Sequence, residues 1–330
     1  MTRTKPIASL SLDLDNQWSY MKTHGDAGWE SYPSYLDIVV PRVLRLLEER
    51  NLKITFFIVG QDAALEQNQA ALRSIAEAGH EIGNHSFKHE QWLHLYSEAE
   101  IDQDLGQAEA LIEQVTGQRP IGFRGPGFSC SEAVLRVLAR RGYHYDASTF
   151  PTYIGPLARA YYFMTANLTP EEAEERKKLF GTLQDGLRPL KPYRWQMGHQ
   201  SQELLEIPVT TMPIVKMPIH VSYILYASLF SEALALAYFR AALMMCRLTG
   251  TQLSLLLHPL DFMGCDDTDA LAFFPAMGVP SSKKVRVVER VLDMMSQYFS
   301  VVPMREHAQG VLREAKFTEV IPNFGAEQAV

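Results

Sequence analysis

The sequence contains few cysteines, no basic cluster and no export signal that we recognise. Its three cysteines, Cys130, Cys246 and Cys265, are scattered and form no CxxC pair. This odd number argues against a disulfide framework and a cysteine-based zinc site, and it favours a reducing compartment. The formal charge is −7, with both signs mixed along the chain. Because a basic stripe that would neutralise phosphates is lacking, we expect no nucleic-acid partner.

Long hydrophobic runs are also lacking. The polar start, Met1 to Pro6, leads into an apolar run that Asp13 and Asp15 interrupt, and no small-residue cleavage site follows. We therefore predict a cytoplasmic protein without a signal peptide. No stretch of about 20 uninterrupted apolar residues predicts a membrane-spanning helix. Segments at about 156–200 and 223–248 combine apolar and basic residues, so peripheral contact with the inner face of the membrane stays open beside core packing or a substrate lid.

What the chain does contain is a regular alternation of strand and helix patterns. Apolar residues make up 47% of the 330 residues, enough for a substantial core. The predicted strands are 7–15, 54–60, 81–83, 121–124, 143–147, 203–212, 252–257 and 299–303, and the predicted helices are 41–51, 68–78, 97–115, 131–141, 223–248 and 283–298. This α/β rhythm predicts a parallel sheet, open or closed into a barrel. It fails at about 156–200, which we interpret as an insertion in one catalytic domain spanning 1–330.

Polar side chains stand where several of these strands end. Asp13 and Asp15 share one face of the first strand, because side chains alternate along a strand. His85 and His89, which follow the third strand, are four residues apart and are predicted to share one face of a helical turn. Since the carboxyl ends of parallel strands meet at one rim, Asp15, His85 and His89 form a candidate site for zinc or another first-row divalent ion.

Four further residues complete the predicted chemistry. Asp13 is a candidate general base, and Arg124, after the fourth strand, is a candidate to keep that carboxylate ionised and oriented. His258, after a late strand, is a candidate general acid for a leaving amine, with Asp146 predicted to hold its imidazole in the charged form. Together with a metal-bound water, these groups are suited to the hydrolysis of an amide or ester.

Five segments resemble, in order, the motifs of the polysaccharide deacetylases of carbohydrate esterase family 4. They are SLDLD at 11–15, HSFKH at 85–89, RGPGF at 124–128, YDAS at 145–148 and LLLH at 255–258. The resemblance covers most of the chain and implies an α/β fold, the distorted (β/α) barrel of the NodB type. It also implies the roles given above to each catalytic residue and metal ligand. The implied cofactor is one divalent metal ion, for which Zn²⁺ is the first candidate.

The first motif departs from its commonest form, in which the two aspartates are adjacent. Here Leu14 separates them, as in a branch that includes some peptidoglycan deacetylases and allantoinase-like amide hydrolases. We therefore predict a metal-dependent hydrolase that removes an N-acyl group from an amino sugar of a glycan or of a lipid- or nucleotide-linked precursor. Acetyl is the first candidate for this acyl group. The alternatives are hydrolysis of a small non-sugar amide or cyclic ureide, and deformylation of a lipid-linked amino sugar.

Two rivals lie outside hydrolysis. A non-haem iron oxygenase also uses two histidines and one carboxylate, but the α/β rhythm and the additional Asp13 and His258 argue against it. A catalytically dead binding protein is disfavoured because every predicted catalytic position is filled. The aromatic residues after the first motif, Trp18 and Tyr20 among them, are interpreted equally as a stacking surface for a sugar and as core residues under a cap.

Overall fold

The strands and helices of the protein follow the predicted alternation. The computed structural model describes residues 5–155, 185–197, 204–313 and 318–324. The strands are β1 (Ile7–Asp13), β2 (Thr55–Ile58), β3 (Glu81–Asn84), β4 (Gly122–Phe123), β5 (Tyr145–Asp146), β6 (Tyr193–Trp195), β7 (Leu204–Glu206), β8 (Ser254–Leu257), β9 (Ser300–Val302) and β10 (Glu319–Val320). The α-helices are α1 (Gln17–His24), α2 (Leu36–Glu49), α3 (Gly60–Ala64), α4 (Glu66–Glu77), α5 (Glu98–Thr116), α6 (Glu132–Arg140), α7 (Val221–Ser228), α8 (Glu232–Thr249), α9 (Ser281–Tyr298) and α10 (Met304–Leu312).

One curled sheet contains all ten strands. Its order is β10-β6-β7-β5-β4-β3-β2-β1-β8, with β9 also paired to β1, and every pair is parallel except β6 with β7. After β7 the chain connects the β5 side of the sheet to the edge strand β8. Val209 N donates to the carbonyl of Thr149, and Thr210 N donates to the carbonyl of Ser254 at 3.0 Å. The sheet thereby curls into a distorted barrel, which confirms the predicted α/β architecture.

The first strand separates the core from the site. Ala8, Leu10 and Leu12 are fully buried and join the main hydrophobic core with side chains of α2, α8 and α9. The alternate residues Ser11 and Asp13 are also buried, but they hydrogen-bond polar side chains instead. The period of two along β1 therefore directs its carboxylate away from the apolar core and toward the other strand ends.

Two predicted helices differ from those observed. Helix α2 begins at Leu36, so Pro41 lies inside the helix and not in its first turn, and that prediction was wrong. The single helix predicted at 223–248 is two helices, α7 and α8, because Ser231 caps the second by accepting a hydrogen bond from Leu234 N. The sequence does not reveal this break, because the apolar residue at the junction, Phe230, continues the apolar pattern although it is 93% exposed.

The predicted insertion is described only in part. Within it, β6 joins the sheet as the antiparallel neighbour of β7, so this portion belongs to the barrel layer. The remainder of 156–200, at 156–184 and 198–200, lies outside the described residues. In the described part of the chain, no helix has both the length and the apolar character needed to cross a membrane.

Candidate active site

A strained turn carries the two histidines past the end of β3. Its backbone is not helical, because Ser86 and His89 adopt left-handed conformations with φ of 63° and 52°, so the predicted helical turn was wrong. Side chains supply the hydrogen bonds that a helix would have made internally. The Asp104 carboxylate accepts from Phe87 N at 2.8 Å, and Ser86 Oγ accepts from His89 N at 3.1 Å. The turn nevertheless brings both imidazoles to one point.

The imidazoles meet the carboxylate of Asp15. Its Oδ1 lies 2.9 Å from His89 Nε2 and 3.2 Å from His85 Nε2, and all three side chains are buried. The candidate ligand atoms lie within 4.8 Å of one another. Two imidazole nitrogens and one carboxylate oxygen in this compact arrangement form a donor set that first-row divalent ions accept.

Arg124 fixes the hydrogen of His85 on the ring nitrogen that faces away from this cluster. The Arg124 backbone carbonyl lies 2.6 Å from His85 Nδ1, and because a carbonyl only accepts, Nδ1 carries the hydrogen. In the neutral ring, Nε2 then directs its lone pair at the lone pairs of Asp15 Oδ1. Two such groups approach closely only with a positive charge between them, so the three residues fit a bound cation.

The three side chains also polarise one another. Although burial opposes ionisation, His89 and His85 hold the pKa of Asp15 well below its usual value. Burial likewise opposes the charged form of His85, yet Asp13 and Asp15 raise the pKa of this imidazole. Burial prevails at His89 and lowers its pKa. The carboxylate and the neutral His89 ring are therefore in the forms that bind metal ions.

The second carboxylate of β1 forms a buried ion pair. Arg124 Nη1 donates to Asp13 Oδ1 at 2.7 Å and to Ser11 Oγ at 2.9 Å. Arg124 Nε donates to the carbonyl of Ala147 at 3.0 Å, and the guanidinium lies over the Phe57 ring at 4.4 Å. The arginine is thus held on several sides, and it presents one guanidinium nitrogen to a carboxylate beside the proposed metal ligands.

His258 is linked to a different carboxylate from the one predicted. Ser222 Oγ lies 3.3 Å from His258 Nδ1 and donates to Asp261 Oδ1 at 2.8 Å, while Asp261 Oδ2 accepts from His258 N at 2.8 Å. This chain of three side chains directs the hydrogen on Nδ1 toward a carboxylate through a hydroxyl. Asp261, not Asp146, is therefore the carboxylate associated with His258.

Asp146 instead forms a buried pair with Glu206. Burial raises the pKa of Asp146, and burial together with the negative charge of Asp146 raises the pKa of Glu206 well above its usual value. Ser148 and Thr149 donate to the two carboxyl groups through their hydroxyls. The contacts of the Asp146 carboxyl group are with Glu206, Ser148 and Cys130, and among the described residues it makes no contact with His258, so the predicted pairing of the two was wrong.

A cavity of about 420 Å³ opens beside His258. Tyr20, His220 and Tyr223 line it near this histidine, and the stacked rings of Phe128 and Phe150, 4.9 Å apart, line another wall; further lining residues include Ser222, Asp261, Phe274 and Lys284. Of the two aromatic residues Trp18 and Tyr20, Trp18 is buried and donates to Asp62 at 2.9 Å, so it is a core residue. Tyr20 reaches the cavity.

Sequence reasoning missed several of these residues. Ser222 and His220 carry no signal of their own, since one lies within an apolar helix and the other precedes it. Glu206 ends a strand, which was a usable signal that we did not follow. Asp261 was not missed: from its place three residues after His258, the sequence favoured equally a residue that orients a neighbour and one that caps a turn. In the structure it accepts from both Ser222 Oγ and His258 N.

Comparison with known sequences identifies relatives for the first half of the chain. The Polysaccharide deacetylase family matches residues 26–145. A peptidoglycan deacetylase of Helicobacter pylori is 31% identical over 149 residues, which are 43% of this chain and 49% of that protein. A peptidoglycan-N-acetylglucosamine deacetylase of Bacillus cereus is 29% identical over 103 residues, 31% of this chain and 46% of that protein. The matches thus span about half the length of these relatives.

Solved structures extend the likeness to the whole fold. A protein of Mycobacterium smegmatis described as a polysaccharide deacetylase superposes with a TM-score of 0.63 at 21% identity, covering 98% of this chain and 97% of that one. Puue allantoinase superposes with a TM-score of 0.58 at 16% identity, covering 96% and 94% of the two chains. At these identities the likeness concerns the fold alone. The match of residues 26–145 to the Polysaccharide deacetylase family supports the resemblance that the five motifs suggested.

Proposed function

We propose that this protein is a metal-dependent hydrolase that removes an N-acyl group from an amino sugar of a glycan or glycan precursor. Acetyl is the first candidate for this acyl group. One observation carries the proposal: the Asp15, His85 and His89 cluster lies beside the Asp13–Arg124 ion pair. A cation site next to an ionised, oriented carboxylate is the arrangement that hydrolytic metalloenzymes use to activate water. A divalent ion bound there supplies Lewis acidity, which lowers the pKa of a water toward about 7 and polarises a carbonyl.

Asp13 takes the role of the general base. Its carboxylate accepts the proton that the attacking water loses, while Arg124, at 2.7 Å, orients the carboxylate before the reaction. Ser11 and the carbonyl of Ala147 hold the guanidinium in place, so Arg124 acts as a positioning residue for the base.

His258 takes the role of the general acid. An amide nitrogen is a poor leaving group until it is protonated, and His258 lies at the cavity wall where such a nitrogen can be reached. Ser222 Oγ, which donates to Asp261, lies beside Nδ1, and this leaves Nε2 to carry the proton that is transferred. This division places the base and the acid on separate residues.

The names of the relatives support the substrate class. The Helicobacter pylori and Bacillus cereus proteins are named as deacetylases of peptidoglycan and of its N-acetylglucosamine. The family match at residues 26–145 covers the two histidines and Arg124, which supports an N-acetylated amino sugar as the substrate class. A cyclic ureide is supported by the fold likeness to Puue allantoinase and by the spaced aspartates of the first motif, which the resemblance shares equally with peptidoglycan deacetylases.

Acetate release from a substrate panel tests the proposal. Chelator-treated protein, with and without added Zn²⁺, is incubated with N-acetylated oligosaccharides, nucleotide sugars, polyprenyl-linked glycans and allantoin. The expected result is metal-dependent acetate release from at least one amino sugar, and its loss in Asp13→Asn. Metal-dependent turnover of the ureide alone, with no acetate from any sugar, would contradict the proposal.

A further inference from the structure

The exposed apolar side chains of the protein are concentrated in one part of the chain. Among the described residues, fifteen large apolar side chains are exposed, and eight of these lie between positions 214 and 248. Apolar surface residues that are scattered singly need no explanation, but a concentration of them marks a contact surface. The eight are Ile214, Val215, Met217, Leu229, Phe230, Leu234, Met244 and Leu248.

The first three of them form the tip of a short hairpin at 211–218. Within it, Met212 N donates to the carbonyl of Met217 and Lys216 N donates to the carbonyl of Met212, both at 2.8 Å. Ile214 is 78% exposed and adopts a left-handed backbone with φ of 73°, a conformation that is unfavourable for a β-branched residue. The hairpin therefore holds an apolar side chain in solvent at a cost in backbone energy.

Lys216 connects this hairpin to the wall of the cavity. Its ammonium donates to the carbonyl of Arg188 at 2.9 Å, next to Leu187, which is 73% exposed. Its carbonyl accepts from Thr152 Oγ1 at 2.9 Å, and its ammonium lies 5.8 Å from the centre of the exposed Tyr153 ring. Arg188 and Thr152 line the cavity, so the hairpin and the two exposed neighbours form an apolar rim beside it. The apolar rim comprises Tyr153, Leu187, Ile214, Val215 and Met217.

Helix α8 continues the surface that begins with the apolar rim. Tyr238 Oη donates to the carbonyl of Pro218, directly after the hairpin, at 2.9 Å. Leu234 stands one helical turn before Tyr238 on the same side of α8 and is 73% exposed. Phe230, at the junction of α7 and α8, is 93% exposed. Apolar side chains thus project from two neighbouring corners of the molecule, the hairpin tip and the helix junction.

The charge of this region is opposite in sign to that of the whole chain. The segment between β7 and β8 contains three basic residues, Lys216, Arg240 and Arg247, and one acidic residue, Glu232, whereas the formal charge of the chain is −7. Glu232 forms an ion pair with Arg290 of α9. Arg240 and Arg247 are exposed on α8. A second copy of this chain would bring like charges together on such a surface, whereas an anionic lipid surface complements both its charge and its apolar side chains.

We propose that the apolar rim, together with Phe230 and Leu234, binds the protein to the surface of an anionic lipid bilayer. The apolar side chains enter the boundary between headgroups and acyl chains, and Arg240 and Arg247 interact with the anionic headgroups. Because backbone amides of the hairpin are bonded within it, the tip can enter apolar surroundings without leaving those donors unpaired. The inference goes beyond the proposed function, since it concerns where the protein binds and not what it hydrolyses.

Vesicle flotation of the full chain tests the proposal. The vesicles contain phosphatidylcholine alone or phosphatidylcholine mixed with anionic phosphatidylglycerol. We expect the wild type to float with the anionic vesicles and to bind the neutral ones about tenfold or more weakly. Ile214→Asn/Phe230→Ser should weaken binding to anionic vesicles about tenfold or more, and asparagine tolerates the left-handed backbone at the first position. The matched control Ile38→Ser/Leu312→Ser removes two exposed apolar side chains elsewhere and should bind as the wild type does.

A second variant tests the contribution of charge without changing any apolar side chain. Arg240→Gln/Arg247→Gln should weaken binding to anionic vesicles about tenfold or more, since each basic residue near such a surface contributes a factor of about five. It should leave the weak binding to neutral vesicles unchanged. Added salt should weaken the binding of the wild type to anionic vesicles by screening the same interaction.

Other occupants of this surface would give different results. Absence of wild-type flotation with anionic vesicles overturns the proposal, and so does flotation that neither variant weakens. Sedimentation that shows a wild-type dimer and a monomeric Ile214→Asn/Phe230→Ser would assign the surface to a second copy and overturn it as well. A loss of melting temperature in this variant, without wild-type flotation, would show that the surface is covered within the protein itself. None of these measurements uses acetate release, so the inference and the proposed function fail separately.

Discussion

Arg124 donates to Asp13 at 2.7 Å in a site where the two side chains are 0% and 6% exposed. Removing one partner of such a buried pair leaves an uncompensated charge, which costs about 3–5 kcal/mol in proteins generally. We predict that Arg124→Gln lowers the free energy of unfolding by an amount in this range and lowers kcat about a hundredfold or more. Chemical denaturation and acetate release measure the two effects.

The double variant Arg124→Gln/Asp13→Asn is the matched control. Without the carboxylate no buried charge remains unpaired, so this variant should recover part of the lost stability and none of the activity. Stability losses that simply add would show that the two side chains do not interact as the structure indicates.

Variants of the base and variants of the metal ligands should differ in how much metal they retain. We predict that Asp13→Asn retains the ion and loses about 10²- to 10⁴-fold in turnover, since it lacks a base but keeps all three ligands. His85→Ala should lose both metal and activity. Elemental analysis after dialysis, with exposed His144→Ala as control, measures retention. Full activity of metal-free His85→Ala would rule out the assigned site.

The hydroxyl between His258 and Asp261 should matter most for a poor leaving group. We predict that Ser222→Ala slows amide hydrolysis about tenfold while changing hydrolysis of an activated aryl ester much less, because the ester needs little help from an acid. Ser222→Thr retains the hydroxyl and should restore the amide rate. Equal slowing of the two substrates would assign Ser222 a structural role only.

Asp62 should make stability fall as the pH rises. Its Oδ1 accepts from Asn16, Trp18 and Asn68, its Oδ2 is buried without a partner among the described residues, and burial raises its pKa from 3.8 to about 7. Between these values the folded state keeps a proton that the unfolded state releases, so the stabilising effect is complete below about pH 4 and is lost by about pH 7. The difference corresponds to about 4 kcal/mol.

We therefore predict that Asp62→Asn flattens the dependence of unfolding free energy on pH. Denaturant titrations of chelator-treated protein at pH 5 and pH 8 should show a smaller difference for this variant than for the wild type. The exposed Asp37→Asn, on α2, should behave as the wild type. An unchanged slope in Asp62→Asn would assign the pH dependence to other buried acids.

The parts of the fold and site that could be predicted follow from local periodicity. The period of two in β1 placed Asp13 on the polar face, and Asp15 follows two residues later, beyond the end of the strand. The alternation of strands with helices placed this strand end beside those that precede His85, His89 and Arg124. Parallel strands all end at one rim, so knowledge of the strand order was unnecessary. This is why the sequence alone predicted that these five side chains lie close together, as they do in the structure.

The partner of His258 could not be predicted in this way. Strand β5 has only two residues, so no periodicity shows whether the Asp146 side chain meets His258 or Glu206. Ser222 reaches His258 from a helix 36 residues earlier, and its position depends on the break between α7 and α8 that the apolar pattern conceals. Such contacts are set by how elements pack and not by the pattern within one element.

The left-handed Ser86 and His89 have a consequence for how an ion is captured. Each such residue costs about 1–2 kcal/mol of backbone energy, and the fold incurs this cost before any ion arrives. If an ion binds at Asp15, His85 and His89 as proposed, it meets a turn that is already ordered, and binding requires little further ordering of the backbone. Substitutions that relax the turn would therefore raise the stability of the folded protein and lower its affinity for the ion.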